Sequence, residues 1–391
     1  MGEEMDKDMD LNGDVKRVLH VTGGMNRGGA EAMIMNIYRG IDKEYMQFDF
    51  LAFSDKECDF DSEIIQLGGK ILNVKCLNLM KPWVFIKDFK RVIKKNGPYE
   101  AVHIHTLFNI GWISLVARLS GVKLRIAHAH STKDTLHDTI FRKIYQFFMR
   151  ILIKHNANSY VACGKDAGEF LFGGTFISKG VILPNAVDLN SFHNTSFEKM
   201  NDLRKELKID NSETLVIGQV GNLKEVKNHR FSILIASELK KMNAKFQMVF
   251  VGEGELRLEL EKMVDNYGLN ECVTFLGSRN DVNYILSLFD ALIMPSIYEG
   301  LPLSLIEAQA AGVKCIASSA ITKEVDLGLD LVGFIDLDKG SKYWAQKIAS
   351  INKNGERIKD DIIKKAFQES GYDVDNNIKV IYSLYKQNLN K

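Results

Sequence analysis

Short apolar or β-branched runs alternate with stretches of helical period along this chain, and partway through the alternation starts again. Lys16 to Val21, Phe48 to Phe53, Lys70 to Val74, Ala101 to His105 and Leu124 to His128 read as strands. Glu31 to Gly40, Phe60 to Leu67, Trp83 to Lys95 and Ile110 to Leu119, lying between them, read as helices. Strand–helix–strand alternation makes the strands parallel and wraps the sheet in helices. A second series begins after Asn211, with strands at Leu215 to Gln219, Gln247 to Val251, Val273 to Phe275, Ala291 to Met294 and Lys314 to Ala317. At 391 residues the chain exceeds one ordinary core and suits two domains of about 150 to 200 residues each. The expected class is α/β, with two Rossmann-like domains at 15–188 and 189–370 that change near Pro184-Asn185-Ala186-Val187-Asp188. Residues 1–14 read as a disordered tail, and Asp360 to Leu389 is helical in period.

Hydrophobic residues make up 46% and charged residues 26%, the balance of an ordinary globular protein. A net charge of +1 supplies no global field to recruit nucleic acid. The charge is unevenly spread, however. Lys75 to Lys179 holds 17 Lys/Arg against 6 Asp/Glu, whereas Met1 to Val74 holds 8 against 15, so one face of the first domain is expected to be basic. The five cysteines (Cys58, Cys76, Cys163, Cys272, Cys315) are scattered and without CxxC spacing, which indicates neither a disulfide framework nor a zinc knuckle. The acidic start, Met1-Gly-Glu-Glu-Met-Asp, lacks the apolar core of a signal peptide, and no apolar run reaches the length of a membrane span, so the expected location is cytoplasmic.

Several segments could carry chemistry. In Met294-Pro-Ser-Ile-Tyr-Glu299-Gly300-Leu301-Pro302-Leu-Ser-Leu-Ile-Glu307 a strand-like run stops, a Pro/Gly loop follows and a helix begins, with two glutamates eight residues apart. Pro302 suits a first helical turn because its missing N–H would be an orphan there, so Leu303 to Ala311 reads as a helix whose free N–H groups form an anion site. Gly23-Gly-Met-Asn-Arg27-Gly28-Gly29 follows the first strand and opens a helix, which lets backbone approach a phosphate. The same loop is open to a dinucleotide reading with Asp49 as ribose acid, although its spacing is GGxxxGG, or to a simple turn. His103-Ile-His105 and His128-Ala-His130 put two imidazoles each on one side of a strand end, where they could meet a ligand, bind a metal or pack in a core. Gly252 and Gly277-Ser-Arg279 are turns after strands where backbone amides could meet a base or ribose. Trp83 to Lys95 and Arg142 to Lys154 are basic helices with apolar faces, able either to pack on a sheet or to meet anionic lipid.

The Glu299-x7-Glu307 segment resembles the signature of retaining nucleotide-sugar glycosyltransferases of the GT-B fold (family 4, or group 1), and the resemblance runs from Val18 to about Ala345. Leu19-His-Val-Thr-Gly23-Gly-Met-Asn-Arg27-Gly28-Gly29-Ala-Glu31 looks similar to the opening motif of bacterial exopolysaccharide and capsule transferases. The resemblance implies two parallel-sheet domains facing a cleft, with a last helix of about 371–391 crossing back to the first domain. It implies a donor site with Glu307 on the ribose, Lys227 and Gly300-Leu301-Pro302 near the diphosphate, Glu299 on the donor sugar, and His130, less strongly His128, closing over that sugar. Gly221-Asn222-Leu-Lys224-Glu-Val-Lys227 resembles the family's Gly-Arg-Leu…Glu-x-Lys motif, with Asn222 replacing the arginine and Lys224 or Arg27 as its substitute. Pro184-Asn185-Ala186-Val-Asp188 resembles the hinge Pro-Asn-Gly-Val-Asp, with Ala186 in place of glycine.

The implied reaction moves a sugar from a nucleotide-sugar, expected to be UDP-linked, to a saccharide or polyprenyl-diphosphate-linked acceptor. No metal or other cofactor is expected, a helix N-terminus and lysine replacing the ion at the diphosphate. No nucleic acid is expected as a partner, and an anionic membrane surface is one, with Trp83, Phe85, Lys87, Lys90, Arg91, Lys94 and Lys95 as its contacts. Two rivals stand beside this reading: an epimerase or hydrolase with the same donor pocket, and a non-catalytic sugar-nucleotide sensor.

Overall fold

The structure is a computed structural model that describes residues 15–53, 56–74, 82–134, 139–193, 196–207, 209, 213–299, 301–351 and 358–389. The tail at 1–14, Cys76 and Gly300, each given a reading above, lie outside the described residues. The chain forms two compact units, Met1–Ala186 with Val374–Lys391, and Val187–Asp373.

The first unit carries a seven-stranded parallel sheet: β1 (Lys16–Val21), β2 (Met46–Ala52), β3 (Ile71–Asn73), β4 (Ala101–Ile104), β5 (Leu124–Ala129), β6 (Ser159–Ala162) and β7 (Gly180–Ile182). Its order is β3-β2-β1-β4-β5-β6-β7. The second unit has six parallel strands, β8 (Leu215–Val220), β9 (Phe246–Val251), β10 (Val273–Gly277), β11 (Ala291–Met294), β12 (Lys314–Ser318) and β13 (Val332–Ile335), in the order β10-β9-β8-β11-β12-β13. Both orders reverse once, between β1 and β4 and between β8 and β11. Such switch points open a crevice beyond the carboxyl ends of the strands, where doubly wound sheets bind ligands.

Period-two alternation sorts the strands between two cores. In β1, Leu19 and Val21 join Val102, Ile104, Phe89, Ile113, Val116, Met149 and Ile153 on one face. Val18 faces the opposite way, toward Met33, Ile37, Tyr38, Phe48, Ile381 and Tyr385. The first face is covered by the helices Pro82–Asn96, Ile110–Leu119 and Ile140–Asn156, and the second by Gly29–Gly40 and Val374–Leu389. The last helix thus belongs to the first unit. Tyr382 Oη accepts from the Asp42 N–H at 2.7 Å, and Asn377 Nδ2 donates to Pro184 O at 2.6 Å.

Three features differ from expectation. Strands β6, β7 and β13, of three or four residues, are absent from the sequence reading; glycine at Gly180 and Gly333 weakens the strand signal of two of them. Asp49, the candidate ribose acid, is fully buried: it pairs with Arg17 Nε at 2.9 Å and accepts from Tyr99 Oη at 2.9 Å and Lys70 N at 3.0 Å. Its carboxylate is saturated by the protein, which removes the dinucleotide reading. Phe85, expected to meet a membrane, is 3% exposed and packs on Phe89 and Phe53, leaving Trp83 as the exposed aromatic of that helix.

Candidate active site

In the second unit the β8 and β11 ends meet at the switch point, and the loops leaving them are laced together. Asn228, in the left-handed region at φ 56°, donates from Nδ2 to Pro295 O at 3.0 Å, and Ile297 N donates to Val226 O at 2.9 Å. Gln219 Nε2 donates to Lys227 O at 2.8 Å and Gln219 Oε1 accepts from Ser232 Oγ at 2.6 Å, both under the loop. This lacing carries Lys227 to Glu299: their Nζ and Oε1 stand 2.6 Å apart, with the side chains 18% and 15% exposed. Ser296 Oγ adds a bond to the same Glu299 oxygen at 3.1 Å. The pair is desolvated enough to be strong yet remains reachable from solvent.

The helix after Glu299 spans Leu303–Ala310, with Pro302 just outside it as the flanking residue at φ −74°, ψ 110°. Pro302 was expected inside the first turn. Its extended ψ instead makes its carbonyl the first acceptor, taking Leu305 N at 3.1 Å, and no side chain caps the helix start. Glu307 lies a turn inside this helix, half-buried, and its carboxylate has no hydrogen-bond partner among the described residues. Burial pushes its carboxyl up to about 7. A carboxylate left without a protein partner in such a place is an acceptor awaiting hydroxyl donors.

The glycine turns beyond β9 and β10 serve packing. Gly252, at φ 142°, donates its N–H to Gly277 O at 2.8 Å, and a Cβ there would stand 2.2 Å from Gly221 O. Arg279 is held by Asp281 at 2.8 Å and Glu206 at 2.8 Å, away from the Lys227–Glu299 pair in the bonding network. Asn222 and Lys224 are exposed on the turn after β8, where Asn222 O accepts Lys224 N at 2.8 Å. Leu301 is half-buried against the core beside the signature helix.

The first unit builds a different edge. Gly28 precedes the Gly29–Gly40 helix in an exposed loop, in extended conformation. Asn185 is buried, with its Oδ1 unpartnered among the described residues. The HxH pairs were expected to converge on the sheet's edge. Only His105 and His130 lie just past the ends of β4 and β5, whereas His103 and His128 are inside the strands and 2% and 0% exposed. His128 is therefore an interior residue.

A fifth histidine, His20, and Tyr385 complete two hydrogen-bonded rows. His20 Nδ1 meets His105 Nε2 at 3.0 Å, and His105 Nδ1 meets His130 Nε2 at 2.8 Å. Tyr385 Oη meets His103 Nδ1 at 3.0 Å, and His103 Nε2 meets His128 Nδ1 at 3.1 Å. The rows stack, with His128 on His130 at 4.0 Å and His103 on His105 at 4.5 Å between ring centroids. Burial lowers all five pKa values, that of His130 to about 4, so the rings are neutral. A neutral imidazole has one N–H and one bare nitrogen. His105 must donate to one neighbour and accept from the other, so His20 Nε2 and His130 Nδ1, the unpartnered ends of the row, have opposite characters. His20 was missed in the sequence reading, although its register opposite His103 follows from the same alternation.

Two triads, His20-His103-His105 and His105-His128-His130, have ligand atoms close enough for a metal ion. Each needs His105, whose two nitrogens are committed to other rings, and neither includes a carboxylate to offset the ion's charge.

Comparison with known proteins agrees with this architecture. The model of glycosyl transferases group 1 matches residues 200–369, and that of Glycosyltransferase Family 4 matches residues 27–191. The chain is 40% identical to the putative glycosyltransferase EpsF of Bacillus subtilis (strain 168), over 96% of this chain and 97% of that one. It is 27% identical to the UDP-Gal:alpha-D-GlcNAc-diphosphoundecaprenol alpha-1,3-galactosyltransferase of Escherichia coli, over 60% and 62% of the two chains. Among solved structures, Anabaena HepE in complex with UDP and glucose superposes with a TM-score of 0.73 at 18% identity, covering 95% of this chain and 100% of that one. With two switch-point sheets of GT-B type and both family models accounting for most of its length, the chain belongs to the group 1, family 4 glycosyltransferases.

Proposed function

We propose that this enzyme transfers a hexose from a UDP-sugar to a polyprenyl-diphosphate-linked saccharide, with retention at the anomeric carbon and without a metal ion, in the synthesis of a cell-surface glycan on the cytoplasmic side. The observation that carries the reading is the Lys227–Glu299 pair at the β8/β11 switch point, followed by an uncapped helix and the unpartnered Glu307. Lys227 and the free N–H groups at the helix start are suited to a diphosphate, and Glu299 and Glu307 to hydroxyls of the sugar and ribose. Support for the donor and acceptor classes comes from the Escherichia coli relative, named for UDP-Gal and a diphosphoundecaprenol acceptor, and from HepE, solved with UDP and glucose.

In the reaction the bond from the anomeric carbon to the diphosphate oxygen breaks, and a bond to the acceptor oxygen forms on the same face. The acceptor's proton passes to the departing phosphate oxygen, which Lys227 and the helix N-terminus stabilise as charge develops. Among the described residues the two histidine triads contain no carboxylate, which with the full use of His105 supports transfer without a metal. Incubation of the chain with UDP-hexoses and a short-chain polyprenyl-diphosphate GlcNAc tests the reading. Proton NMR of the product is expected to show the donor's anomeric configuration. An inverted product, or sugar epimerised or released with acceptor present and no transfer, overturns it.

A further inference from the structure

Asn228 sits where a helix cap is expected and bonds elsewhere. It is the residue before the His229–Lys241 helix, a position from which asparagine ordinarily accepts from the free N–H groups of the first turn, yet its side chain makes no such bond. Its backbone is left-handed, at φ 56° and ψ 44°, away from the extended conformation that a capping residue adopts. The side chain instead donates from Nδ2 to Pro295 O, 67 residues along the chain, at 3.0 Å. A local cap is thus exchanged for a tie between the loop after β8 and the loop after β11. Local rules give way like this where a site needs a geometry that local structure does not supply.

The tie closes a ring of bonds that includes the ion pair. Pro295 is followed by Ser296, 0% exposed, whose Oγ donates to Glu299 Oε1 at 3.1 Å. Ile297 N donates to Val226 O at 2.9 Å, and Lys227 Nζ meets the same Glu299 oxygen at 2.6 Å. A parallel bridge to Ile321 holds the Glu299 backbone, and the Lys227 stem runs close to the main chain, since a Cβ on Gly221 would lie 3.1 Å from Lys227 Cε. Both of these donors fall on Oε1 of Glu299, so Oε2 is left to accept a hydroxyl. An ammonium has three N–H groups, and the pair uses one, which leaves others for a diphosphate. We propose that Asn228 and Ser296 are positioning residues for sugar transfer: Asn228 sets the spacing of the two loops, and Ser296 sets the direction of the Glu299 carboxylate. Lys227 then meets the diphosphate while Glu299 Oε2 meets a hydroxyl of the sugar. The inference rests on the donor site proposed above and gives a role to two residues that had none in the sequence reading.

The test follows UDP release from UDP-hexoses, with a short-chain polyprenyl-diphosphate GlcNAc as acceptor, in variants of the full chain. Asn228→Gly keeps the left-handed backbone without strain and removes only the tie. Its kcat should fall about tenfold, with KM for the UDP-hexose changed less than about twofold and the thermal midpoint unchanged. A residue that merely braced the fold would lose stability along with rate. Ser296→Ala should lower kcat by about threefold to tenfold in the same way. On a Lys227→Met background, adding Asn228→Gly should cost nothing further, because the pair it positions is already broken. Asn228→Gly at the parent rate overturns the proposal. So does a further loss of similar size on the Lys227→Met background, since Asn228 then acts through something else. Lys227→Met at the parent rate takes the pair out of the reaction and overturns the donor-site reading together with the proposal. A loss in Lys227→Met with none in Asn228→Gly or Ser296→Ala leaves that reading standing and removes the proposal alone.

Discussion

The two units share one topology and equip its ligand edge with opposite chemistry. Beyond β8 and β11 the second unit sets an ion pair, Lys227–Glu299, and a carboxyl whose burial raises it to about 7. Within β1, β4 and β5 (His20, His103, His128) and just past β4 and β5 (His105, His130) the first unit sets five imidazoles that burial keeps neutral. The charged edge suits a diphosphate. The neutral edge can offer directed hydrogen bonds without a field of its own, and its row His20–His105–His130 links the character of His130 Nδ1 to a ring on another strand. A fold therefore fixes where a ligand site opens, and residue chemistry decides what each site can hold.

This contrast predicts opposite pH responses, and the histidine side gives the largest effect. A histidine with a lowered folded pKa contributes stability that is present above its unfolded value of about 6.5 and lost as pH falls below it. Five such rings act together in the first unit, so its stability should drop by several kcal/mol, on the order of 1 kcal/mol per ring, between pH 7 and pH 5. Glu307 works the other way. Its raised folded pKa favours the protonated native form, so the second unit loses stability as pH climbs from about 4.5 to about 7 and regains it on acidification. Hydrogen exchange resolved by peptide, at pH 5 and pH 7.5, should show protection falling in β1, β4 and β5 and holding in β8 and β11. Equal losses in both units would break the comparison.

Next in size is the charged edge itself. Lys227→Met removes the cation proposed to face the diphosphate and takes from Glu299 its ion-pair partner, so kcat/KM should fall by about 10²- to 10³-fold, the cost of one preorganised donor. The thermal midpoint should move little, because the pair is partly exposed. Activity within threefold of the parent would place the diphosphate elsewhere. Glu307→Gln should weaken UDP binding in calorimetry by about 1.5 to 3 kcal/mol, the value of a charge-assisted bond. It should also abolish the second unit's loss of stability between about pH 4.5 and about pH 7. Unchanged UDP affinity would detach Glu307 from the ribose.

Legibility in the sequence followed the same divide. Strands of five or six residues, such as Leu215–Val220 and Phe246–Val251, display their periods, and the Glu299-x7-Glu307 segment carries loop, helix start and both carboxylates within one window. Ser159–Ala162 and Gly180–Ile182 were not legible, although strands as short as Ala291–Met294 were. Local sequence also cannot show long-range pairing. Tyr385 reaches His103 across 282 residues and His20 reaches His105 across 85, so the HxH pairs looked like four ring donors at an edge while two were interior links. Phe85 misled for a related reason: an apolar helix face reads the same whether it meets a sheet or a lipid, and only the packing of Phe89 and Phe53 decides it.

The smallest expected effect is none at all. Sugar transfer should persist at the parent rate in excess chelator if, as proposed, Lys227 and the helix N–H groups meet the diphosphate, since the histidine edge resists a cation. To bind a divalent ion at either triad, His105 would give up a ring–ring hydrogen bond of 3.0 or 2.8 Å, and the ion's two charges would enter a buried site among Phe48, Phe50 and neutral rings. Desolvation opposes that strongly in the absence of a carboxylate. Assay after dialysis against chelator, followed by addition of manganese or zinc, checks both edges in one experiment. Activity lost in chelator and restored by manganese would put an ion at the diphosphate. Loss restored by zinc, and abolished in His105→Phe, would make ligands of the imidazoles, and the division between a charged edge and a neutral one would fail.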